Sequence, residues 1–189
     1  MAQELQRYHI AIAALSETRL PDQTQFAEPG SGYTFFCSGR PENEPRQAGV
    51  GFAVKTCYLK LLDSLPHGVN ERLMVMRLHL DSGFVTMISA YAPTMTHTDE
   101  IKEQFYDELD RLILATSHSD KLMVLGDFNT RVSADCSTWD HHGVGKMNTN
   151  GTLLLSMCAQ RQLVITNTLF QQKNKYKTTW MHPRSGHWH

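Results

Sequence analysis

The 189-residue chain is 41% hydrophobic and 20% charged, as expected for an ordinary globular protein and not for a disordered or fibrous one. Its formal net charge of −1 at pH 7 argues against a general nucleic-acid coat. No apolar run approaches the roughly 20 residues that a membrane span needs. The first fifteen residues are no signal peptide, because Glu4 and Arg7 interrupt them. One domain over residues 1–189 is the simplest prediction at this length.

Charge is distributed unevenly along the chain. Residues 1–140 contain all 19 acidic residues and 12 of the 18 Lys and Arg, which gives −7 there. Residues 141–189 contain the other six cations and no acid, which gives +6. The asymmetry favours an edge that faces something anionic. A solvated basic edge is the alternative.

The four cysteines, at 37, 57, 136 and 158, form no CxxC pair. A zinc site and a disulfide scaffold are therefore both weak interpretations. Free buried thiols in a reducing compartment are the better expectation, which places the protein in the nucleus or the cytoplasm.

Short apolar runs bounded by turn residues predict strands in chain order. They lie at 9–15, 33–37, 48–54, 72–80, 84–91, 121–125 and 163–166. Asp81-Ser82-Gly83 predicts a hairpin between the fourth and fifth of these. Since some strands pair by hairpin while others alternate with helices, we expect a mixed sheet in an α/β protein.

Three helices are predicted. Residues 2–8 have the pattern of the last turns of a helix, and residues 97–117 give the clearest helical signal. In the latter, Ile101, Phe105, Leu109 and Leu112 form one apolar stripe, and acids fill the first turns. Asn150 is predicted to cap a third helix over residues 151–161.

The chain is organised around residues 121–130, KLMVLGDFNT. Four apolar residues run into Gly126, so a buried strand is expected to release Asp127 and Asn129 at its carboxyl end. Two residues apart on extended backbone, these side chains would lie on one face. The alternative is a simple turn, because Gly, Asp and Asn all favour turns.

Other predicted strands also end in polar groups, at Glu17, Tyr91 and Asn167. Each has an ordinary explanation as a turn or core residue. Together, two carboxylates on separate strand ends with amides, a phenol and a basic edge describe a metal-assisted phosphoryl site. Magnesium usually takes only one or two protein carboxylates and keeps water and phosphate oxygens as its other ligands.

Seven segments resemble one group of proteins. They are SETRL at 16–20, AGVGFAV at 48–54, SAYAP at 89–93, GDFNTRV at 126–132, HHGVGKMNTNG at 141–151, LVITNTLF at 163–170 and TTWMHP at 178–183. In this order they are similar to the endonuclease/exonuclease/phosphatase superfamily, specifically the endonuclease domain of RTE-type non-LTR retrotransposons. The resemblance implies a four-layered α/β sandwich, with two packed mixed sheets flanked by helices.

The same resemblance implies a role for each matching residue. Glu17 would ligate Mg²⁺, with Mn²⁺ as the alternative ion, and Tyr91 would contact the phosphate. Asp127 would position the attacking water, and Asn129 would stabilise the pentavalent phosphorus. Asn167 and Thr179 would line the DNA side, with Trp180 packing beneath them. Separately from the resemblance, the charge pattern predicts that the basic run Lys173, Lys175 and Lys177 contacts DNA phosphates, with a solvated face as the alternative. The implied reaction hydrolyses a DNA phosphodiester and leaves a 3′-hydroxyl.

The sequence departs from the family pattern at both ends. The family's first strand carries a metal-binding Asn, and its last strands carry an Asp and a His that act at the scissile phosphate. No residue here matches those positions, and His187 and His189 fall too early to be the missing histidine. The expectation is a sandwich truncated at both ends, monomeric, with little or no nicking activity of its own. A reverse transcriptase would follow in a retrotransposon parent.

Three functional hypotheses stand at this point. The first is a Mg²⁺-dependent DNA endonuclease domain. The second is a catalytically dead, domesticated relic that binds DNA or protein. The third is a superfamily relative that acts on RNA or phosphoinositides, which the retrotransposon-type motifs disfavour.

Overall fold

The computed structural model describes residues 1–132 and 146–169. The chain divides into two compact units, Met1–Phe128 and Asn129–His189. The single-domain organisation of residues 1–189 stays a prediction. Within the described ranges no helix is both long and apolar enough to cross a membrane.

The first unit opens with helix α1 (Ala2–Arg7) and then builds a four-stranded antiparallel sheet. Its strands are β1 (Ile12–Ser16), β2 (Gln23–Glu28), β3 (Tyr33–Ser38) and β4 (Val50–Lys55), in the order β1-β4-β3-β2. Three of these strands follow the predicted apolar runs. Strand β2 was not predicted, since its sequence QTQFAE is mostly polar and five of its six residues are exposed.

The second sheet has the order β5-β6-β7-β8. Its strands are β5 (His67–Gly68), β6 (Leu73–Leu80), β7 (Gly83–Tyr91) and β8 (Lys121–Asp127). The predicted hairpin is confirmed, because β6 and β7 pair antiparallel through a register that runs from Leu80↔Gly83 to Leu73↔Ala90. Strand β8 pairs with β7 in parallel, after the crossover helix α2 (Asp99–Ala115). This sheet is mixed as predicted, whereas the first sheet is wholly antiparallel.

The two sheets pack face to face around one hydrophobic cluster. The first sheet contributes Phe36, Phe52 and Val54, and the second contributes alternate residues of β6 and β7 such as Met76 and Met87. Alternation along each strand directs these side chains to the same face. Tyr91, at the end of β7, belongs to this cluster and is only 6% exposed.

Helices lie outside the sheet pair. Helix α1 buries Ala2 against Tyr33, Phe35 and Ala53, on the opposite face of the first sheet. Helix α2 is linked to the loop between β5 and β6 by the side-chain amide of Asn70, which donates to the Glu108 carboxylate. The α/β sandwich of two sheets plus helices is thus confirmed.

The apolar stripe of α2 differs from the prediction. Ile101 is 43% exposed, and the buried face is formed by Lys102, Phe105, Tyr106, Leu109 and Ile113. Lys102 is buried along its aliphatic stem while its ammonium group donates to Asp99. The stripe is therefore rotated by about one residue from the predicted one.

Strand β8 is also less buried than its apolar sequence predicts. Met123 is 48% exposed, and Asp127 at the end of the strand is exposed as well. Within the described residues β8 forms ladder hydrogen bonds only with β7, so one side of the strand has no strand neighbour there.

The second unit contains helix α3 (Thr149–Arg161). The predicted cap, Asn150, is wrong: Asn148 has extended backbone and its side chain accepts a hydrogen bond from the Gly151 amide at 2.8 Å. Asn150 instead lies in the first turn and is fully buried. The strand predicted at 163–166 is also wrong, since 163–165 have no regular structure and Thr166–Thr168 form a 3-10 turn.

The described cysteines are free thiols, as predicted. Cys37 and Cys158 are buried, and burial raises the pKa of the Cys37 thiol to about 11. Cys57 is exposed, contrary to the expectation of buried thiols. Cys136 lies outside the described residues.

Candidate active site

Glu17 follows directly after β1, where the chain leaves the first sheet. Its backbone is left-handed, with φ +55°. The next two amides donate to carbonyl groups just before β4: Thr18 N donates to Gly49 O, and Arg19 N donates to Ala48 O. This close approach requires a glycine at 49, because a Cβ there would overlap the Thr18 hydroxyl and lie 2.8 Å from the Arg19 nitrogen. The strained turn therefore fixes the Glu17 carboxylate at the strand end.

Tyr91 ends β7 and connects the two sheets at this edge. Its hydroxyl donates to Glu17 Oε1 at 2.9 Å, across 74 residues of sequence. Burial, followed by the hydrogen bond to Glu17, raises the pKa of the Tyr91 phenol to about 12. The phenol is therefore neutral at physiological pH and remains a hydrogen-bond donor.

Asp127 is the last residue of β8 and the register partner of Tyr91 in the parallel pair. Paired residues of neighbouring strands point to the same face, so Asp127 lies on the side of the sheet that Tyr91 occupies. Its charge also contributes to the raised pKa of Tyr91. The Ala92 amide continues the ladder by donating to the Asp127 carbonyl at 2.9 Å. Three predicted site residues, Glu17, Tyr91 and Asp127, are thus brought together at one edge.

Asn129 belongs to the second unit. Its backbone is left-handed, with φ +48°. The prediction that Asp127 and Asn129 share one face assumed extended backbone, and the backbone at Asn129 is not extended. The Asn129 carbonyl accepts from the side chain of Asn148 at 3.0 Å, and the same side chain accepts from the Arg131 amide. The N-terminal cap of α3 therefore holds the segment that carries Asn129.

The remaining predicted site residues are placed differently or lie outside the described residues. Asn167 is exposed within the 3-10 turn Thr166–Thr168, and not at a strand end as predicted. Five predicted DNA-side residues lie outside the described part of the chain: Lys173, Lys175, Lys177, Thr179 and Trp180.

A cleft of about 310 Å³ opens beside Tyr91. It is lined by Glu17, Arg19, Arg46, Gln47, Ala48, Arg72, Tyr91 and His97. Arg19 donates to Glu17 Oε2 at 3.1 Å. The cleft thus contains three guanidinium groups and one carboxylate, which gives it a positive potential suited to an anion.

Sequence reasoning missed Arg46, Arg72 and His97 as cleft residues. They come from the loop before β4, the position just before β6 and the segment before α2, and no local motif connects them. Arg72 Nη1 donates to the Tyr91 carbonyl at 3.2 Å, and the Tyr91 amide donates to the Arg72 carbonyl at 2.9 Å. Arg72 therefore forms hydrogen bonds with both polar backbone groups of Tyr91, its amide and its carbonyl.

The donor set fits a magnesium ion. Across the described ranges no group of three or more His, Cys, Asp or Glu side chains is placed to hold a metal. Magnesium does not need such a group, because one or two carboxylates suffice. The Glu17 carboxylate is half exposed and accepts one hydrogen bond on each oxygen, which leaves lone pairs for a hard cation.

Comparison with known proteins identifies the fold. The fold is endonuclease/exonuclease/phosphatase-like. The structure superposes on the endonuclease domain of TRAS1, a telomere-specific non-LTR retrotransposon, with TM-score 0.58, 15% identity, and coverage of 85% of this chain and 64% of that one. It also superposes on the AP endonuclease LMAP from Leishmania major, with TM-score 0.51, 14% identity, and coverage of 85% and 60%.

Among proteins of known sequence, the chain is similar to craniofacial development protein 2. It is 29% identical to the Bos taurus protein and 28% identical to that of Tragulus javanicus, over 96% of its own length in both cases. It spans only 30% and 31% of those two relatives. No family model matches the chain.

Proposed function

We propose that this chain is a Mg²⁺-dependent DNA endonuclease domain of the retrotransposon type, which hydrolyses a phosphodiester and leaves a 3′-hydroxyl. The observation that carries the proposal is the meeting of Glu17, Tyr91 and Asp127 at the carboxyl ends of β1, β7 and β8. Strand ends of α/β folds are where such chemistry is placed. Both structural neighbours are endonucleases, which supports a nuclease-type fold.

Each residue has a distinct part in the proposed reaction. Asp127 is exposed at its strand end and positions the attacking water. The neutral Tyr91 hydroxyl donates toward a phosphate oxygen as negative charge develops there. Glu17 would hold the magnesium ion, which neutralises phosphate charge and stabilises the leaving oxygen.

Residues of the second unit enter the proposal through the family resemblance. Asn129 would donate its amide to the phosphoryl oxygens. Asn167 and Thr179 would line the DNA side, with Trp180 packing beneath them. The charge pattern adds Lys173, Lys175 and Lys177, which would neutralise backbone phosphates. A fused reverse transcriptase, a monomeric state and a nuclear or cytoplasmic location belong to the same proposal.

Nicking of supercoiled plasmid in the presence of magnesium tests the reaction. Nicking is measured at protein excess over hours, so that even a slow reaction is detected. Asp127→Ala should abolish it while DNA binding is kept. Asp107→Ala, which removes the same charge from an exposed position on α2, is the matched control. Extension of the nick by a DNA polymerase checks for the 3′-hydroxyl.

The outcomes separate the hypotheses. Equal nicking by Asp127→Ala and wild type would remove Asp127 from the mechanism. DNA binding without any nicking would favour the catalytically dead module. Preferential cleavage of RNA would favour the superfamily relative with another substrate.

A further inference from the structure

The cleft beside Tyr91 contains more positive charge than one scissile phosphate requires. Arg19 is paired with Glu17, whereas Arg46 and Arg72 have no carboxylate partner among the described residues. The acids nearest to them in sequence, Glu44 and Glu71, pair instead with Arg40, at 3.8 and 3.6 Å. Two guanidinium groups in the cleft therefore form no ion pair within the described residues, although the Glu71 charge still acts on Arg72 at longer range.

Arg72 is held in place before any ligand arrives. Its guanidinium is half buried, with Nη1 bonded to the Tyr91 carbonyl and Nη2 3.5 Å from His97 Nε2. His97 is itself fixed by a 2.9 Å contact between its Nδ1 and Thr94 Oγ1. A guanidinium has five N–H donors, so Arg72, which lines the cleft, keeps further donors that have no acceptor in the described part of the chain. Burial lowers its pKa, a sign that the charge is partly desolvated.

Arg46 approaches the same cleft from the loop before β4. The loop is fixed close to its base, where the Gln47 amide donates to Pro45 O and the Gly49 amide donates to Glu71 O. Within residues 1–132 and 146–169 the Arg46 side chain has neither an ion pair nor a hydrogen bond. It is exposed and free to meet an incoming anion.

We propose that Arg46 and Arg72 form a second phosphate subsite, which takes a phosphate group neighbouring the scissile one. The inference rests on the proposed function and extends it. Arg forks match phosphate oxygens bidentately, and a half-buried, preorganised guanidinium loses little entropy on binding. The shared ligand chemistry is a tetrahedral phosphate oxyanion, supplied by the nucleic-acid strand or by a free phosphate.

The test measures binding of a fluorescein-labelled DNA duplex by anisotropy as a function of KCl concentration. Arg46→Ala should lower the slope of log K against log salt by about 1, as expected for one lost phosphate contact. Arg111→Ala, an exposed arginine on α2 outside the cleft, removes the same charge and should leave the slope unchanged. Arg72→Lys keeps the charge and removes the fork, so it should weaken binding with little change in slope.

Circular dichroism confirms that each variant is folded before the comparison. Equal slopes for wild type and Arg46→Ala, with DNA still bound, would overturn the subsite and leave the proposed function standing. A neutral methylphosphonate placed at each phosphate in turn identifies the strand as the source: one position should weaken wild type but not Arg46→Ala.

Titration with inorganic phosphate, followed by the arginine Nε–Hε resonances, provides the second arm. Saturable shifts that Arg46→Ala removes, without any methylphosphonate effect, would assign the subsite to free phosphate and overturn the strand assignment. If wild type does not bind DNA at all, the proposed function fails. The same titration then decides the subsite alone: such shifts support it, and their absence overturns it.

Discussion

Replacing Gly126 with alanine tests how strand β8 presents Asp127. Gly126 has φ +143° and is the register partner of Ala90 on β7. A Cβ at this position would overlap the Ala90 carbonyl oxygen and lie 2.8 Å from its carbonyl carbon. Both obstacles are backbone atoms of the neighbouring strand, so they move only if the β7–β8 pair separates.

Two costs add in this variant. Holding a non-glycine residue in a sparsely populated backbone region costs about 1–3 kcal/mol. Forcing an extra carbon into a packed contact costs about 1–3 kcal/mol more. We therefore expect Gly126→Ala to lower the free energy of unfolding by about 2–6 kcal/mol and to displace Asp127 from Tyr91.

Gly83→Ala is the matched control. Gly83 also has positive φ, +108°, but a Cβ added to it would meet no other atom within 4 Å. It should carry the backbone cost alone, so the two variants should differ by about 1–3 kcal/mol.

Urea unfolding followed by far-ultraviolet circular dichroism measures both variants. Tryptophan fluorescence is unsuitable, because the three tryptophans lie at 139, 180 and 188, outside the first unit. Equal losses in Gly126→Ala and Gly83→Ala would refute the steric argument. It would then follow that β8 can shift against β7 without cost.

Three further predictions concern single side chains. Tyr91→Phe removes the hydrogen bond to Glu17 and should lower the free energy of unfolding by about 1 kcal/mol. The wild-type protein should also lose stability between about pH 10 and 12, because the folded-state pKa of Tyr91 is raised to about 12. Asp120→Asn should flatten the acid-side loss of stability between about pH 4 and 2, because the hydrogen bond from Arg77 lowers the pKa of Asp120 to about 2. Asn148→Ala removes the cap of α3 and should cost about 1 kcal/mol by urea unfolding.

Each has its own contradicting result. An identical alkaline stability profile in wild type and Tyr91→Phe would show that the phenol titrates alike in the folded and unfolded states. An unchanged acid limb in Asp120→Asn would mean that other carboxylates control it. For Asn148→Ala, the serine variant is the control, because Ser also caps; equal loss in both would exclude capping as the cause.

Much of the first unit follows from local patterns. The β6–β7 hairpin was predicted because alternating apolar runs flank a turn tripeptide, and both strands form as expected. Strand β2 was missed because its pairing partner, β3, supplies the hydrophobic surface that its own sequence lacks. The predicted strand at 163–166 failed because a short apolar run is compatible with several backbone states.

The residues of the candidate site likewise include some that the sequence predicts and some that it does not. Glu17, Tyr91 and Asp127 were predicted as site residues because each stands where an apolar run ends, a signal visible along the chain. Arg46 and Arg72 could not be predicted, since what distinguishes them is their place in the cleft and the pairing of their acidic neighbours with Arg40. These are properties of the packed molecule and not of any segment.

The parallel pairing of β7 with β8 has a consequence for how the protein folds. The β6–β7 hairpin closes over a very short loop and can form early, whereas β8 joins only after the chain has passed through the crossover that contains α2. The contact between Tyr91 and Glu17 spans 74 residues and is equally non-local. The meeting of Glu17, Tyr91 and Asp127 at this edge is therefore a late product of folding: partially folded chains, and peptides cut from any one region, lack the assembled arrangement.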